Sequence, residues 1–158
     1  MKVSAKADYA VRAATELAAT TSDRPMKAER ISDAQGIPIK FLEAILLELK
    51  HANVVKSTRG ADGGYALARP ATEISIADVI RAVDGPLANV RGERPEDTRY
   101  KGSAENLTKL WVAVRASLRD VLEQTSLADL ISGKFPKRVQ TLSDAPTAWQ
   151  SPGRSGAR

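Results

Sequence analysis

Residues 54–69, VVKSTRGADGGYALAR, read as a short β-hairpin whose tip offers an arginine among glycines. Val54 through Thr58 is β-prone, and Tyr65 through Ala68 resumes an apolar/polar alternation. Between them, Gly60, Gly63 and Gly64 admit φ > 0 and strip the backbone of side-chain bulk. A hairpin of this kind is a thin wing that projects Arg59. A slim cationic tip suits a DNA minor groove, where narrow A·T-rich stretches carry an enhanced negative potential. Directly upstream lie two short amphipathic stretches separated by Gly36, so residues 26–69 run helix, turn, helix, wing.

Working outward, the chain is mainly helical. Ser4 caps a first helix whose apolar positions Ala7, Ala10, Val11, Ala14, Leu17 and Ala18 fall on one face, and which ends near Thr20. A second helix, residues 28–34, offers Ile31 and Ala34 to the core and stops at Gly36, after which Pro38 suits the first turn of a third. The third runs to about Ala52. Its inward stripe is Leu42, Ile45, Leu46 and Leu49 with Phe41 at the edge, leaving Ile39, Lys40, Glu43, Ala44 and Leu47 on the outer face. Beyond the wing, Pro70 breaks the strand and Ser75 caps a fourth helix, residues 76–83, closed by Asp84-Gly85-Pro86.

Residues 85–104 carry no clear pattern, and a loop of that length inside a compact domain is usually functional or mobile. Residues 105–124 form a long helix with Leu107, Leu110, Trp111, Val114, Leu118, Val121 and Leu122 on one stripe, which needs a partner surface. Leu127, Leu130 and Ile131 make a short closing helix. From Gly133 onward, Pro, Gly, Ser and basic residues predict a disordered tail. The expected fold is mainly α with a small β-hairpin: a winged helix-turn-helix in residues 1–84, a loop at 85–104, dimerisation helices at 105–132 and a basic tail at 133–158.

A chain of 158 residues with 42% hydrophobic content buries one core. It has no stretch approaching a membrane span and no secretory signal at its start, which predicts a cytoplasmic protein with no membrane partner. The sequence has no cysteine and one histidine, His51. Disulfides, thiolate metal sites and thiol redox sensing are thereby excluded, and neither a cofactor nor a metal is expected. No nucleophile has a neighbouring base, so an enzyme is not expected either. The formal charge of +5 is unevenly spread, with 11 Lys/Arg against 8 Asp/Glu in residues 1–70, 8 against 10 in 71–133, and 5 against 1 in 134–158. Basicity therefore gathers in the helix-turn-helix half and the tail, which agrees with double-stranded DNA as partner without establishing it.

In a helix-turn-helix the second helix presents its outer N-terminal face to base edges in the major groove. Lys40 can contact guanine or phosphate there, Glu43 can accept from the amino group of cytosine, and Ala44 can touch a thymine methyl. Ile39 completes this set. Arg59, Gly60, Gly63, Gly64 and Tyr65 complete it on the wing.

The run FLEAILLELKHANVVKSTRGADGGYALARPATEISIADVIRAVDG, residues 41–85, together with the opening SAKADYAVRAATELA, resembles the Rrf2 family of bacterial transcription regulators over roughly residues 1–125. The resemblance implies a homodimer of winged helix-turn-helix units crossed through the long helix, binding a partly palindromic operator, with residues 38–51 in the major groove and the wing around Arg59 in the minor groove. Many members hold an iron–sulfur cluster through cysteines in the loop that reads LANVRGERPEDTRYKGSAEN here, and this loop has none. Asp8 and Arg12 fall where some members place further cluster ligands, but as an i,i+4 pair they are expected to form a helix-surface ion pair.

Sensing is then left to a small-molecule effector or an enzyme partner. Trp111, Asp8 and Arg12 mark a candidate effector pocket, although Trp111 also reads as a dimer-core aromatic. Some cluster-free relatives control sulfur or cysteine metabolism, sometimes through an enzyme partner. Arg91, Arg94, Arg99 and Lys101 offer anion contacts, but Glu93, Glu96 and Asp97 among them read as a solvated mixed-charge loop. The alternative function is a winged helix serving protein partners alone, which predicts no salt-dependent duplex binding.

Overall fold

The computed structural model describes residues 2–150, so residues 151–158 of the expected tail lie outside the described residues. Helix α1 (Ala5–Ala19) begins where the Ser4 hydroxyl accepts the Ala7 N–H at 2.9 Å. Its buried face is Ala7, Ala10, Ala13, Ala14 and Leu17, and these small side chains let it lie centrally against the later helices. Helix α2 (Ala28–Gln35) ends at Gly36, and α3 (Ile39–His51) starts after Pro38. Leu42, Ile45, Leu46 and Leu49 are buried as the spacing predicts. Ala34 is exposed instead of buried, and α2 contributes only Ile31 to the core.

Two side chains on α1 lock α2 in place. Arg12 donates to the Gln35 carbonyl, and the Gln35 amide donates to Glu16 at 2.7 Å. Strands β1 (Val55–Thr58) and β2 (Gly64–Leu67) form the antiparallel hairpin, in register Val55↔Leu67 through Thr58↔Gly64. Helix α4 (Ile76–Asp84) carries a full capping box, in which Ser75 and Asp78 satisfy each other's backbone donors. It packs on α1 and α3 through Ala77, Val79 and Val83.

The loop at residues 85–104 has more structure than its sequence pattern suggests. Leu87, Pro95 and Thr98 are buried, short 3₁₀ turns form at Pro95–Asp97 and Gly102–Ala104, and Thr108 donates to the Thr98 carbonyl at 3.0 Å. Three isolated anchors of this sort have no periodicity and so leave no pattern to read. Helix α5 (Leu107–Leu122) follows, and it has no buried residue.

Two features of the C-terminal third add to the expected layout. Helix α6 (Leu127–Ser132) packs on α1 and on the turn at residues 71–73. Ile76 N–H donates to the Thr125 carbonyl at 2.8 Å, Leu127 N–H donates to the Ile74 carbonyl at 3.0 Å, and the Leu127 side chain is fully buried in the core beside α1. The chain reverses after α5 and plugs the core beside α1. The tail is also not wholly irregular. Pro136 starts α7 (Lys137–Ser143), and Arg138 pairs with Asp120 of α5 at 2.8 Å.

The start of α6 gives a pH test. Asp129 accepts from the Ser126 backbone N–H and hydroxyl at 2.8 and 2.7 Å, and these donors hold its carboxyl below the ordinary carboxylate range. A depressed folded pKa contributes stability that is present above the unfolded pKa and lost as pH falls through the folded one. Asp129→Asn is therefore expected to lower the melting temperature at neutral pH and to match the parent protein in acid, read from thermal melts across that range.

Candidate nucleic-acid interface

The α2–α3 pair and the hairpin are held as one body. Tyr65 and Met26 exchange backbone hydrogen bonds, N–H to carbonyl in both directions at 2.8 Å, so the base of the wing is stitched to the chain entering α2. Lys27 adds a clasp at the far end, its ammonium donating to the Ala61 carbonyl at 2.8 Å. The wing, the start of α2 and Arg59 thus border one groove of about 410 Å³.

The glycines have different tasks. Gly60 sits at φ +105° with open space where a Cβ would be, and its carbonyl accepts the Gly63 N–H at 3.0 Å to close the tip. Gly63 is packed against the backbone of Thr58 and Arg59, and at Gly64, φ +153°, a Cβ would lie 2.5 Å from the Met26 carbonyl oxygen. Close approach, more than positive φ, is what these two positions require. Gly64→Ala is accordingly expected to cost roughly 2–3 kcal/mol in urea unfolding. Gly60→Ala should cost about 1 kcal/mol, the conformational penalty alone. Equal costs would mean that docking of the wing on Met26 contributes nothing.

On α3, Lys40, Glu43, Ala44, Leu47, Lys50 and His51 are exposed or nearly so along one side. Lys40 and Glu43 form an i,i+3 pair at 3.4 Å, with Lys40 90% exposed. The helix therefore offers a donor and an acceptor already arranged as a couple. Phe41 is 64% exposed, well beyond an edge position, and Leu47 is 52% exposed.

Two of the expected contact residues also pack against the core. Ile39 is half-buried against the core, because it lies three and seven residues before Leu42 and Leu46 and so shares their stripe. Tyr65 is also half-buried against the core, and its role is to tie the wing to Met26. Lys27, Lys56 and Lys50 were not among the expected contacts. An exposed lysine beside a glycine-tipped hairpin or at a helix end was the available signal.

Away from this face, Asp8 and Arg12 form the expected ion pair at 3.2 Å, and Arg12 also lies 5.4 Å from the centre of the Tyr9 ring. Trp111 is half-buried, with an indole N–H that is buried and has no acceptor among the described residues. Neither of the two cavities beside α5 is lined by these three. The apolar cavity beside α5, about 500 Å³, is lined by Val3, Ala7, Ile80, Leu87, Leu118 and Leu122 among others. Arg12 also donates to the carbonyl of Gln35 at the end of α2.

A helix-turn-helix with a docked, arginine-tipped wing defines the class of DNA-binding transcription regulators. The Rrf2 family, described as iron-dependent transcriptional regulators, matches residues 3–133, and the chain belongs to it. Among its relatives is the HTH-type transcriptional regulator Rv1287 of Mycobacterium tuberculosis, 49% identical over 158 residues, covering 100% of this chain and 98% of that protein. CymR of Bacillus subtilis is 32% identical over 132 residues, covering 84% of this chain and 91% of that protein. The solved structure of CymR, described as the global cysteine regulator of B. subtilis, aligns with TM-score 0.70 at 33% identity over 84% of this chain and 98% of that one. IscR of T. potens aligns with TM-score 0.68 at 32% identity over 84% and 88%.

Iron is implied by the family description, but the residues present do not fit an iron–sulfur cluster. Clusters need thiolates, with histidine or carboxylate as occasional substitutes. The chain has no cysteine, His51 is exposed on α3, and among the described residues no three His, Asp or Glu side chains gather as ligands. No helix among them is long and apolar enough to cross a membrane.

Proposed function

We propose that the chain is a homodimeric repressor that reads a palindromic operator without an iron–sulfur cluster. The observation that carries this reading is the rigid coupling of the exposed α3 side to the wing through the paired Tyr65–Met26 backbone bonds. One helix in a major groove then fixes where Arg59 meets the adjoining minor groove. Lys40 and Glu43 act on base edges as a couple, Ala44 and Leu47 supply apolar contact, and Lys27, Lys50 and Lys56 neutralise phosphates. Homodimerisation is supported by α5, whose residues include no buried side chain and whose Leu110 is 53% exposed. A helix of that length with its apolar stripe left on a surface is unfavourable without a second copy. Likeness to CymR favours genes of sulfur or cysteine metabolism as targets, with a small molecule or an enzyme partner as the signal.

The test is capture of bound fragments from genomic DNA by the purified protein, followed by affinity for the best site across a salt series. The expected result is an inverted repeat bound with a steep salt slope from counterion release. Absence of enrichment over bulk DNA, with or without added metabolite extracts, would reject the operator reading in favour of a protein-partner role. On the captured site, Lys40→Ala and Glu43→Ala are each expected to relax preference at the same base position, at about 1–3 kcal/mol, because they act as a pair. Uniform loss across all sequences would reduce both to phosphate-side roles.

A further inference from the structure

A second cavity, about 330 Å³, lies between α4, the loop at residues 85–104 and α5, and it is lined by Arg81, Arg94, Arg115 and Arg119. Pro86, Leu87 and Pro95 give it an apolar wall. These arginines come from three segments, so their convergence is a product of the fold. Within the loop, Arg94 alone looked like one charge among many of both signs.

Two carboxylates answer the four guanidiniums. Glu96 pairs with Arg115, and Glu123 pairs with Arg81 and with Arg119 Nε, the latter at 2.9 Å. Arg94 makes no ion pair within 4.0 Å among the described residues, and its charge acts on Glu96 at longer range. Glu96 is held ionised by backbone and Arg115 hydrogen bonds, and Glu123 by hydrogen bonds from Arg81 and Arg119, so both titrate below the ordinary carboxylate range. At neutral pH the cluster therefore keeps an excess of two positive charges. Like charges gathered in a concavity with a partly apolar wall are costly until an anion enters, and guanidinium forks are matched to carboxylate and phosphate oxygens.

We infer that this cavity is an effector site for a small organic dianion, held by Arg94 and Arg119 and flanked by Arg81 and Arg115. The volume is that of a metabolite-sized pocket, and the two excess charges select a dianion over a monoanion. A dicarboxylate and a phosphate monoester both meet this chemistry. Because Arg81 belongs to α4, which packs on α1 and α3, and Arg115 and Arg119 belong to α5, the occupant ties α5 to the DNA-reading core. The inference goes beyond the operator reading and does not depend on it, since binding is measured without DNA.

The experiment is calorimetric titration of the full chain with succinate and with glycerol 3-phosphate, at constant ionic strength, with acetate as the monoanion control. Saturable binding of one dianion per chain is expected for one of the two probes, and which one binds identifies the oxyanion. Arg94→Ala and Arg119→Ala should each weaken it at least about tenfold. Arg94→Ala should do so with an unchanged melting temperature of the ligand-free protein, because Arg94 supports no ion pair. Absence of saturable heat with both probes, equal binding of acetate, or undiminished affinity in both variants would overturn the site. Loss of affinity for bulk duplex DNA in Arg94→Ala, with a shallower salt slope, would also overturn it by making the cluster a phosphate-backbone contact.

Discussion

Arg59→Ala is expected to lower operator affinity by on the order of 10²-fold or more while leaving the melting temperature unchanged. Arg59 is exposed at the hairpin tip, and the bonds that fix the wing are backbone bonds at Tyr65 and Met26, so nothing in the fold depends on the guanidinium. Its proposed role is on DNA. A narrow minor groove concentrates negative potential, and an inserted arginine is worth roughly 1–3 kcal/mol. On the proposed two-fold symmetric site, two such contacts are lost at once. The loss should be greatest when A·T-rich steps flank the half-sites and should shrink when they are replaced by G·C, as measured by fluorescence anisotropy on matched duplexes. Arg59→Lys should recover part of the charge-dependent binding but not the A·T preference. An unchanged affinity for Arg59→Ala would show that the wing does not enter the groove.

How far these contacts could be read from sequence depends on how local their causes are. The wing was legible because Gly60, Gly63 and Gly64 lie between two β-prone runs, and the caps at Ser4 and Ser75 were legible because each acts within one turn. Ile39 lies beside Lys40 and also three and seven residues before Leu42 and Leu46, so it packs at the edge of the core as well. Tyr65 is bound at its backbone to Met26 while its side chain packs at the edge of the core, a meeting of distant segments that alternation along one strand does not encode. Leu127 and the four arginines of the second cavity are non-local: their partners are Ile74 and segments far along the chain, and no periodicity encodes such meetings. The absence of cysteine, by contrast, was decisive from sequence alone, because no arrangement of the chain supplies thiolates it does not contain.

Leu110→Asp is expected to convert the protein to a folded monomer, with a dimer dissociation constant raised by on the order of 10³-fold or more. Leu110 is 53% exposed within one protomer, so an aspartate there stays hydrated in the monomer and costs the fold little. At an interface built on α5, two symmetric copies would each carry a carboxylate into apolar surroundings, and an unpaired charge in such a place costs several kcal/mol. Val114→Asp is the less discriminating variant, since Val114 is half-buried within its own protomer and its loss would confound unfolding with dissociation. Sedimentation equilibrium reads the mass, circular dichroism confirms the helix content, and anisotropy on one half-site against the whole palindrome reads the consequence. The monomer should bind a half-site as the parent subunit does and gain nothing from the second half-site. An unchanged dimer mass would place the interface elsewhere than α5, and the exposed Leu110 would then need another partner.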